Sequence, residues 1–576
     1  MSESLQSAAE APLSPTTSER SVAWAQFPRR VILLLIAFSI ASFLITGLRG
    51  LLSAGTPALA QGQVVNWEIS WRSNQPVADV IAMRMPNTLQ LLGTAFGLAL
   101  LLATIVAYTG ALIHQLEEAS NPLGTILKWL GRLGCHVPAA LPVVGLSLFL
   151  VFFFAFQLRF LPGGGKISPG GGGLSNVLQH LILPSFTLAF LPGVIAAQEM
   201  ARVLKQPRAT SNARAWMTRL FKLLGLLLGQ IGGWLTAIIV VESVFSWPGL
   251  GQLAFDAAIT RDYPVLLGVL GAFAGVILGG RLAAEFFRWL ERLVRIPAVT
   301  PQTAPSPWRK PARRLWVAFT LLLLIVPLVL VVTGFSTDAT KTLNMDLQAR
   351  NAPPSTEHPW GTDPLGRDLQ ARVLLGGLTM LKITVLAAVI ALIPSLLGGA
   401  LTGFLASHGR LWSESLADLV LLPADVLLFI PALAGVMVFM LIGSSEEGSW
   451  LWLVMGVVGV LLPRAVRFYQ TLWTTEPKPR RWLVLVFIGS GALLLGMIFA
   501  ALGLVTAVDF MGVGIQPPQP SIGTIIADTL SIMTAHPTGL FAAGGVLWAC
   551  SAAFYLSADA LVGFFDSKEP LGRLNE

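Results

Sequence analysis

Charge is scarce in this chain: of its 576 residues only 12% are Asp, Glu, Lys or Arg. A soluble protein of this length needs about twice that share to cover its surface. Cysteine is nearly absent. The two that occur, Cys135 and Cys550, sit within or beside apolar runs and exclude a disulfide framework or a cysteine metal site. Six histidines, at 114, 136, 180, 358, 408 and 536, fall into no ligand spacing, and no H-E-x-x-H occurs. The stretch GGGKIS (163–168) fails as a phosphate loop, because Phe160 stands where the first glycine belongs and Ile167 replaces the Ser or Thr. No nucleophile elbow or other catalytic set is present. The reading is of a chain that is not an enzyme and holds no cofactor or metal.

What is abundant is apolar sequence. Hydrophobic residues make up 54% of the chain, and the mean hydropathy is +0.72. Apolar runs long enough to cross a hydrocarbon core of about 30 Å recur along it. In lipid each run must satisfy its own backbone, so each is expected to be a helix. Twelve spans are expected, near 31–53, 88–113, 134–157, 178–200, 219–245, 263–288, 315–335, 378–407, 416–443, 450–471, 482–508 and 540–565. The fold class is therefore an all-α, multi-pass membrane protein. Arg29-Arg30, the apolar run that follows and TPALAQ imitate a signal peptide, but the run is too long for one and reads as an uncleaved first span.

The net charge of +8 is a topology signal rather than a nucleic-acid footprint. Most Lys and Arg fall in segments that share a side if the N-terminus is cytoplasmic, including the cluster from Arg202 to Lys222 and the group from Arg309 to Arg314. By the positive-inside rule both termini are expected in the cytoplasm. Residues 1–29 read as a disordered cytoplasmic tail. The proline-rich stretch 296–314 reads as a cytoplasmic linker. It separates a half at 30–295 from a half at 315–570, with a short tail at 571–576. Six spans on each side give the halves the same orientation, as parallel repeats require.

Ionisable residues inside spans are costly, so each is informative. Glu242, Arg281, Glu285, Lys382, Asp418, Asp425, Arg464, Asp509 and Asp559 are of this kind. Arg281 and Glu285 are spaced to pair on one helix face. Glu242, Asp425 and Asp509 are candidates for a solute pathway or for buried polar contacts. In each half the fifth span is followed by a Gly/Pro-punctuated element, 246–264 and 510–530, expected to form a break and a short helix at the outer face.

Several motifs carry a family resemblance. RMPNTLQL (84–91), FQLRFLPGGG (156–165) and VVESVFSWPGLGQLAFDAAITRDYPVLLGV (240–269) resemble one membrane subunit of the dipeptide/oligopeptide ABC importers. HPWGTDPLGRDLQARVLLGG (358–377), DVLLFIPAL (425–433) and FMGVGIQPPQPSIG (510–523) resemble its partner subunit. The resemblance implies two permease subunits fused in one chain of a bacterial-type inner membrane, with ATP hydrolysis on separate subunits. It marks Trp247, Pro248, Gly249 and Gly251, and His358, Gly361, Thr362, Asp363, Gly366, Arg367 and Asp368, as outer-face motifs. The segment 358–372 is expected to be a capped turn that launches a helix along the membrane surface, and it could also dock an extracytoplasmic solute-binding protein.

The departures are specific. The family's cytoplasmic loop between the fourth and fifth spans carries a Glu-Ala-Ala…Gly pattern and a short helix that seats in the ATPase. Neither 201–225 nor 467–484 has it, and both are short. Val505 stands where a Glu matching Glu242 is implied. These departures make ATPase partners doubtful and keep a second reading open: a permease-derived structural or accessory subunit of a larger membrane complex. Membrane lipid is expected around the spans, and other membrane-complex subunits are possible partners.

Overall fold

The computed structural model describes residues 17–53, 66–118, 131, 134, 139–204 except 169, 213–294, 310–407, 411–443, 449–475, and 479–566 except 531. Among them there is no strand, only two isolated bridges, Ile69 with Pro76 and Thr362 with Asp368. The first part of the chain forms α1 (Thr17–Ser53), α2 (Val77–Glu118), α3 (Val143–Leu150), α4 (Leu174–Leu204), α5 (Ala213–Gly229), α6 (Ile231–Val244), α7 (Leu250–Ile259) and α8 (Tyr263–Val294). The second part forms α9 (Lys310–Leu323), α10 (Ile325–Ser336), α11 (Leu369–Ser407), α12 (Leu411–Leu427), α13 (Ala432–Ile442), α14 (Ser449–Thr475), α15 (Pro479–Phe510), α16 (Ile522–Leu530) and α17 (Thr538–Asp566).

Nine helices among the described residues are long and apolar enough to cross a membrane, or eleven if two bent pairs each count as one span. Of the expected third span, 134–157, the described helical part is chiefly the shorter apolar helix Val143–Gln157. Two expected boundaries shift. The helix α1 begins at Thr17, so it takes in much of the stretch read as tail; no proline interrupts it before Pro28. Helix α9 begins at Lys310, so the last five residues of the expected linker are helical. Residues 1–16, 295–309, 571–576 and Cys135 lie outside the described residues.

Close approach of helices rests on small side chains, because lipid supplies no hydrophobic drive between helices. On α2, Ala95, Ala99, Ala103 and Ala107 are fully buried and spaced by four. Helix α4 packs there; a Cβ on its Gly193 would sit 3.4 Å from the Ala99 Cα. On α11, a Cβ at Gly399 would lie 2.6 Å from the Val466 carbonyl oxygen of α14. One buried apolar cluster includes residues from both sides of 296–314, from Ala37 to Phe554.

Proline and glycine place the breaks. Pro142 and Pro431 are the N-caps of α3 and α13. The pair α12–α13 bends by 76° and α5–α6 by 53°, whereas α15 runs unbroken for 32 residues. Helix α13 packs on α6, and α1 packs on both α8 and α12, so elements from both parts meet along the middle of the bundle.

Candidate functional site

The first break follows α6. Glu242 is fully buried near the end of that helix. Its Oε2 accepts the backbone N–H of Gly251 at 2.6 Å and of Gln252 at 3.1 Å, and its Oε1 accepts the Thr88 hydroxyl at 2.7 Å. The carboxylate thus satisfies first-turn donors of α7, where a negative charge also suits the helix dipole. Thr88 Oγ1 in turn accepts Leu250 N–H at 2.7 Å. The expected motif residues fix the turn. Trp247 is fully buried and donates its indole N–H to the Asn87 carbonyl at 3.0 Å, while Asn87 Nδ2 donates to the Pro248 carbonyl at 2.7 Å. Gly249 and Gly251 are required: a Cβ at 249 would fall on the Glu242 carboxyl, and one at 251 would sit 2.7 Å from the Ile239 Cα. On α7 itself, burial raises the Asp256 carboxyl above its ordinary range, against the nearby Arg84 and Arg72.

A related arrangement follows α15. Val505 is fully buried, and the carboxylate sits one helical turn further on, at Asp509. Asp509 Oδ1 accepts Ile515 N–H at 2.8 Å. Both breaks carry G-x-G, Gly249-Leu250-Gly251 and Gly512-Val513-Gly514, and Gln252 and Ile515 directly follow. A Cβ at Gly514 would fall on Asp509, and one at Gly523 would sit 2.6 Å from the Asp509 Cβ. Asp509 does not cap the following helix. That task falls to Ser521, whose Oγ accepts Thr524 N–H at 3.2 Å. Asp509 Oδ2 is buried with no hydrogen-bond partner among the described residues.

The segment 358–372 is a tied turn. Asp363 Oδ1 accepts the N–H of Leu365 at 2.8 Å and of Arg367 at 2.9 Å. Its Oδ2 accepts Arg367 Nε at 2.8 Å and also pairs with Arg372. Arg372 Nη2 extends to Asp528 on α16 at 3.0 Å. Asp368 caps α11 through Ala371 N–H at 2.7 Å and meets His358 Nδ1 at 2.9 Å. Thr362 Oγ1 donates to the Ala349 carbonyl and accepts Ala352 N–H. Gly361 and Gly366 have φ of +79° and +76°, and a Cβ at 366 would overlap the Asp346 carbonyl. The turn therefore launches α11 and holds α16 beside it; α11 is not the expected helix along the membrane surface but runs 39 residues and is apolar enough to cross.

A third group lies at the bend between α12 and α13. Asp425 pairs with Arg467 of α14. Arg281 of α8 donates Nη2 to the Leu428 carbonyl at 3.1 Å, and its guanidinium lies 4.8 Å from the Phe429 ring centroid. Thr236 of α6 accepts Ala432 N–H at 2.9 Å. The expected pairing of Arg281 with Glu285 does not form. Glu285 meets Arg288 at 3.3 Å and Arg30 at 3.4 Å, because Arg281 is turned toward the carbonyl freed at the bend. Asp418 meets Arg29 at 2.5 Å. Lys382 sits 4.7 Å from the Phe335 ring. Thr88, Thr236, Arg467 and Asp528 were not among the expected site residues. Only Thr88 carried a signal, as part of RMPNTLQL.

The fold and these breaks define a class first: a polytopic helical membrane protein with buried carboxylates at helix breaks near one face and a broken, charge-lined span at its middle. No family model matches the chain. Over 225 residues it is 31% identical to a protein of Brucella ovis described as a peptide permease, a match covering 35% of this chain and 66% of that protein. It is 29% identical over 235 residues to the oligopeptide transport system permease protein AppB of Bacillus subtilis, covering 37% of this chain and 70% of that protein. It is 31% identical over 224 residues to the glutathione transport system permease protein GsiC of Shigella flexneri, covering 34% of this chain and 64% of that protein. All three relatives are described as permease proteins, and each match covers about a third of this chain. It spans just under two thirds of the length of the first of these relatives.

Proposed function

We propose that this chain is the membrane component of a peptide-type ABC importer in a bacterial inner membrane, with the solute pathway between two fused permease halves, 30–295 and 315–570. The observation that carries this reading is the recurrence, on the two sides of 296–314, of a buried carboxylate that accepts a backbone N–H of a G-x-G break, Glu242 with Gln252 and Asp509 with Ile515. Each break leads into a short helix, α7 or α16. Both termini and 296–314 are cytoplasmic in this reading. Residues 358–372 then face the outside, where a solute-binding protein would deliver its cargo. ATP hydrolysis belongs to separate subunits.

A second reading, an accessory subunit that has lost ATPase coupling, is favoured by one observation. Only residues 476–478 join α14 to α15, and only 205–212 join α4 to α5. Neither stretch carries the Glu-Ala-Ala…Gly pattern that the resemblance implies for the ATPase-seating helix. Without an element that contacts the open and closed ATPase differently, nucleotide cannot shift the membrane part. The deciding experiment purifies the assembly from its native membrane in mild detergent and measures ATP hydrolysis with and without a peptide mixture. Peptide-stimulated hydrolysis by a co-purifying ATPase supports the importer. Stable co-purification with other membrane subunits and no hydrolysis overturns it in favour of the accessory role.

A further inference from the structure

We infer that Arg464, Arg467 and Arg281 form a binding site for an oxyanion, the carboxylate of a small solute, at the bend between α12 and α13. The assignment of the anion to a solute rests on the pathway reading above; the site itself does not.

The charge at the bend does not balance. Arg464 and Arg467 are three residues apart on α14 and so share a face. Arg281 comes from α8, and it lies within electrostatic range of Arg464, Arg467 and Arg288, with Asp425 as the acid among those neighbours. Asp425 is already paired with Arg467. Glu285 is engaged with Arg30 and Arg288, and Asp418 with Arg29. Among the described residues Arg464 makes no hydrogen bond and no ion pair, although a guanidinium carries five N–H donors.

The position of the two α14 arginines matters as well. Arg464 and Arg467 lie inside the span Trp450–Trp473. Both are exposed, and the Arg467 side chain keeps 49% of its surface, yet Ala465 and Val466 between them are buried. An arginine that deep in an apolar span faces a polar cavity or an anion rather than lipid tails. The Phe429 ring and the Leu428 carbonyl hold Arg281 in place at the bend. Two planar guanidiniums that keep free donors suit a carboxylate, which can accept two parallel N–H bonds. A lipid phosphate offers the same chemistry, and the test separates the two.

The full chain is reconstituted in nanodiscs of phosphatidylcholine alone, and phenylglyoxal labelling of each arginine is followed by mass spectrometry. The probe is acetate, with acetamide and chloride at matched ionic strength as controls. Acetate is expected to slow labelling of Arg464 and Arg467 at least threefold, with acetamide and chloride without effect and the exposed Arg214 unprotected. In Arg464→Gln, acetate protection of Arg467 is expected to disappear; Arg464→Lys retains part of it. Equal labelling with and without acetate overturns the site. Protection by phosphatidylglycerol in the nanodisc, with none by acetate, overturns the solute assignment and makes lipid phosphate the occupant. Energised peptide uptake is measured separately: protection by acetate without any uptake leaves the anion site standing and removes the pathway reading.

Discussion

The Thr88 hydroxyl donates to Glu242 Oε1 at 2.7 Å across 154 positions of sequence. The same Oγ1 accepts Leu250 N–H, so one hydroxyl links the carboxylate to the start of α7. The group is closed to water: Thr88 is 1% exposed and Glu242 0%. In such a setting the penalty for removing one partner exceeds the value of the bond itself, because the others stay buried and unpaired.

Glu242→Ala is expected to lower stability by on the order of 3 kcal/mol, since it strands the N–H groups of Gly251 and Gln252 and the Thr88 hydroxyl. Glu242→Gln keeps an acceptor and is expected to lose less than half of that. Thermal unfolding of the purified chain in detergent reads both. Equal midpoints for wild type and Glu242→Ala would remove the capping role.

Asp509 predicts a different pattern. Its Oδ1 has one donor, Ile515 N–H, and its Oδ2 has none among the described residues. Asn supplies the same acceptor without a buried charge, so Asp509→Asn is expected to unfold at or above the wild-type temperature. Asp509→Ala strands Ile515 N–H and is expected to cost about 1–3 kcal/mol. If Asn and Ala destabilise equally, the acceptor role of Oδ1 is wrong.

At the opening turn of α11, Asp363 neutralises Arg367 and Arg372 and has no exposed side-chain surface. Asp363→Ala is expected to cost about 3–5 kcal/mol, the usual penalty for uncovering a buried charge. Asp368→Ala, which removes a cap and a partner for His358, is expected to cost about 1–2 kcal/mol. The yield of monodisperse protein and its melting temperature rank the two. The reverse order would mean that the cap, not the ion pairs, holds the turn.

Gly366→Ala tests the backbone of the same turn. Its φ is +76° and a Cβ would overlap the Asp346 carbonyl. The substitution is expected to abolish accumulation of folded protein, whereas Gly271→Ala, with nothing within 4 Å of the added carbon, is expected to be silent. Comparable yields of the two would show that the turn relaxes freely.

Local chemistry was readable in advance wherever the partners are close in sequence. Asp363 and Arg367 lie four apart in a turn-rich stretch, the glycines at 249, 251, 361 and 366 are marked by the family resemblance, and long apolar runs announce the spanning helices. Pairing rules fail where a break elsewhere in the chain offers a better partner. Arg281 and Glu285 have ideal spacing on α8, but the bend after α12 frees the Leu428 carbonyl, and Arg281 goes there. No periodicity encodes that meeting, since 147 residues separate the two. The same holds for Asp528, whose part in the turn at 363–372 depends on how α16 docks. Val505 signalled a missing carboxylate, but not that Asp509, one turn on, receives the corresponding backbone N–H.

The two routes into the carboxylate-held breaks differ mechanically. Helix α15 is one unbroken rod of 32 residues, about 48 Å long at 1.5 Å per residue. A tilt at its Pro479 end must reappear at Asp509 and pass to α16. The corresponding route through α5 and α6 is jointed at Gln230 with a 53° bend, so rotation of α5 can be absorbed at the joint before it reaches Glu242. The rod is built as a lever and the jointed pair as a shock absorber, so a tilt at the Pro479 end reaches Asp509 with less loss than a tilt of α5 reaches Glu242.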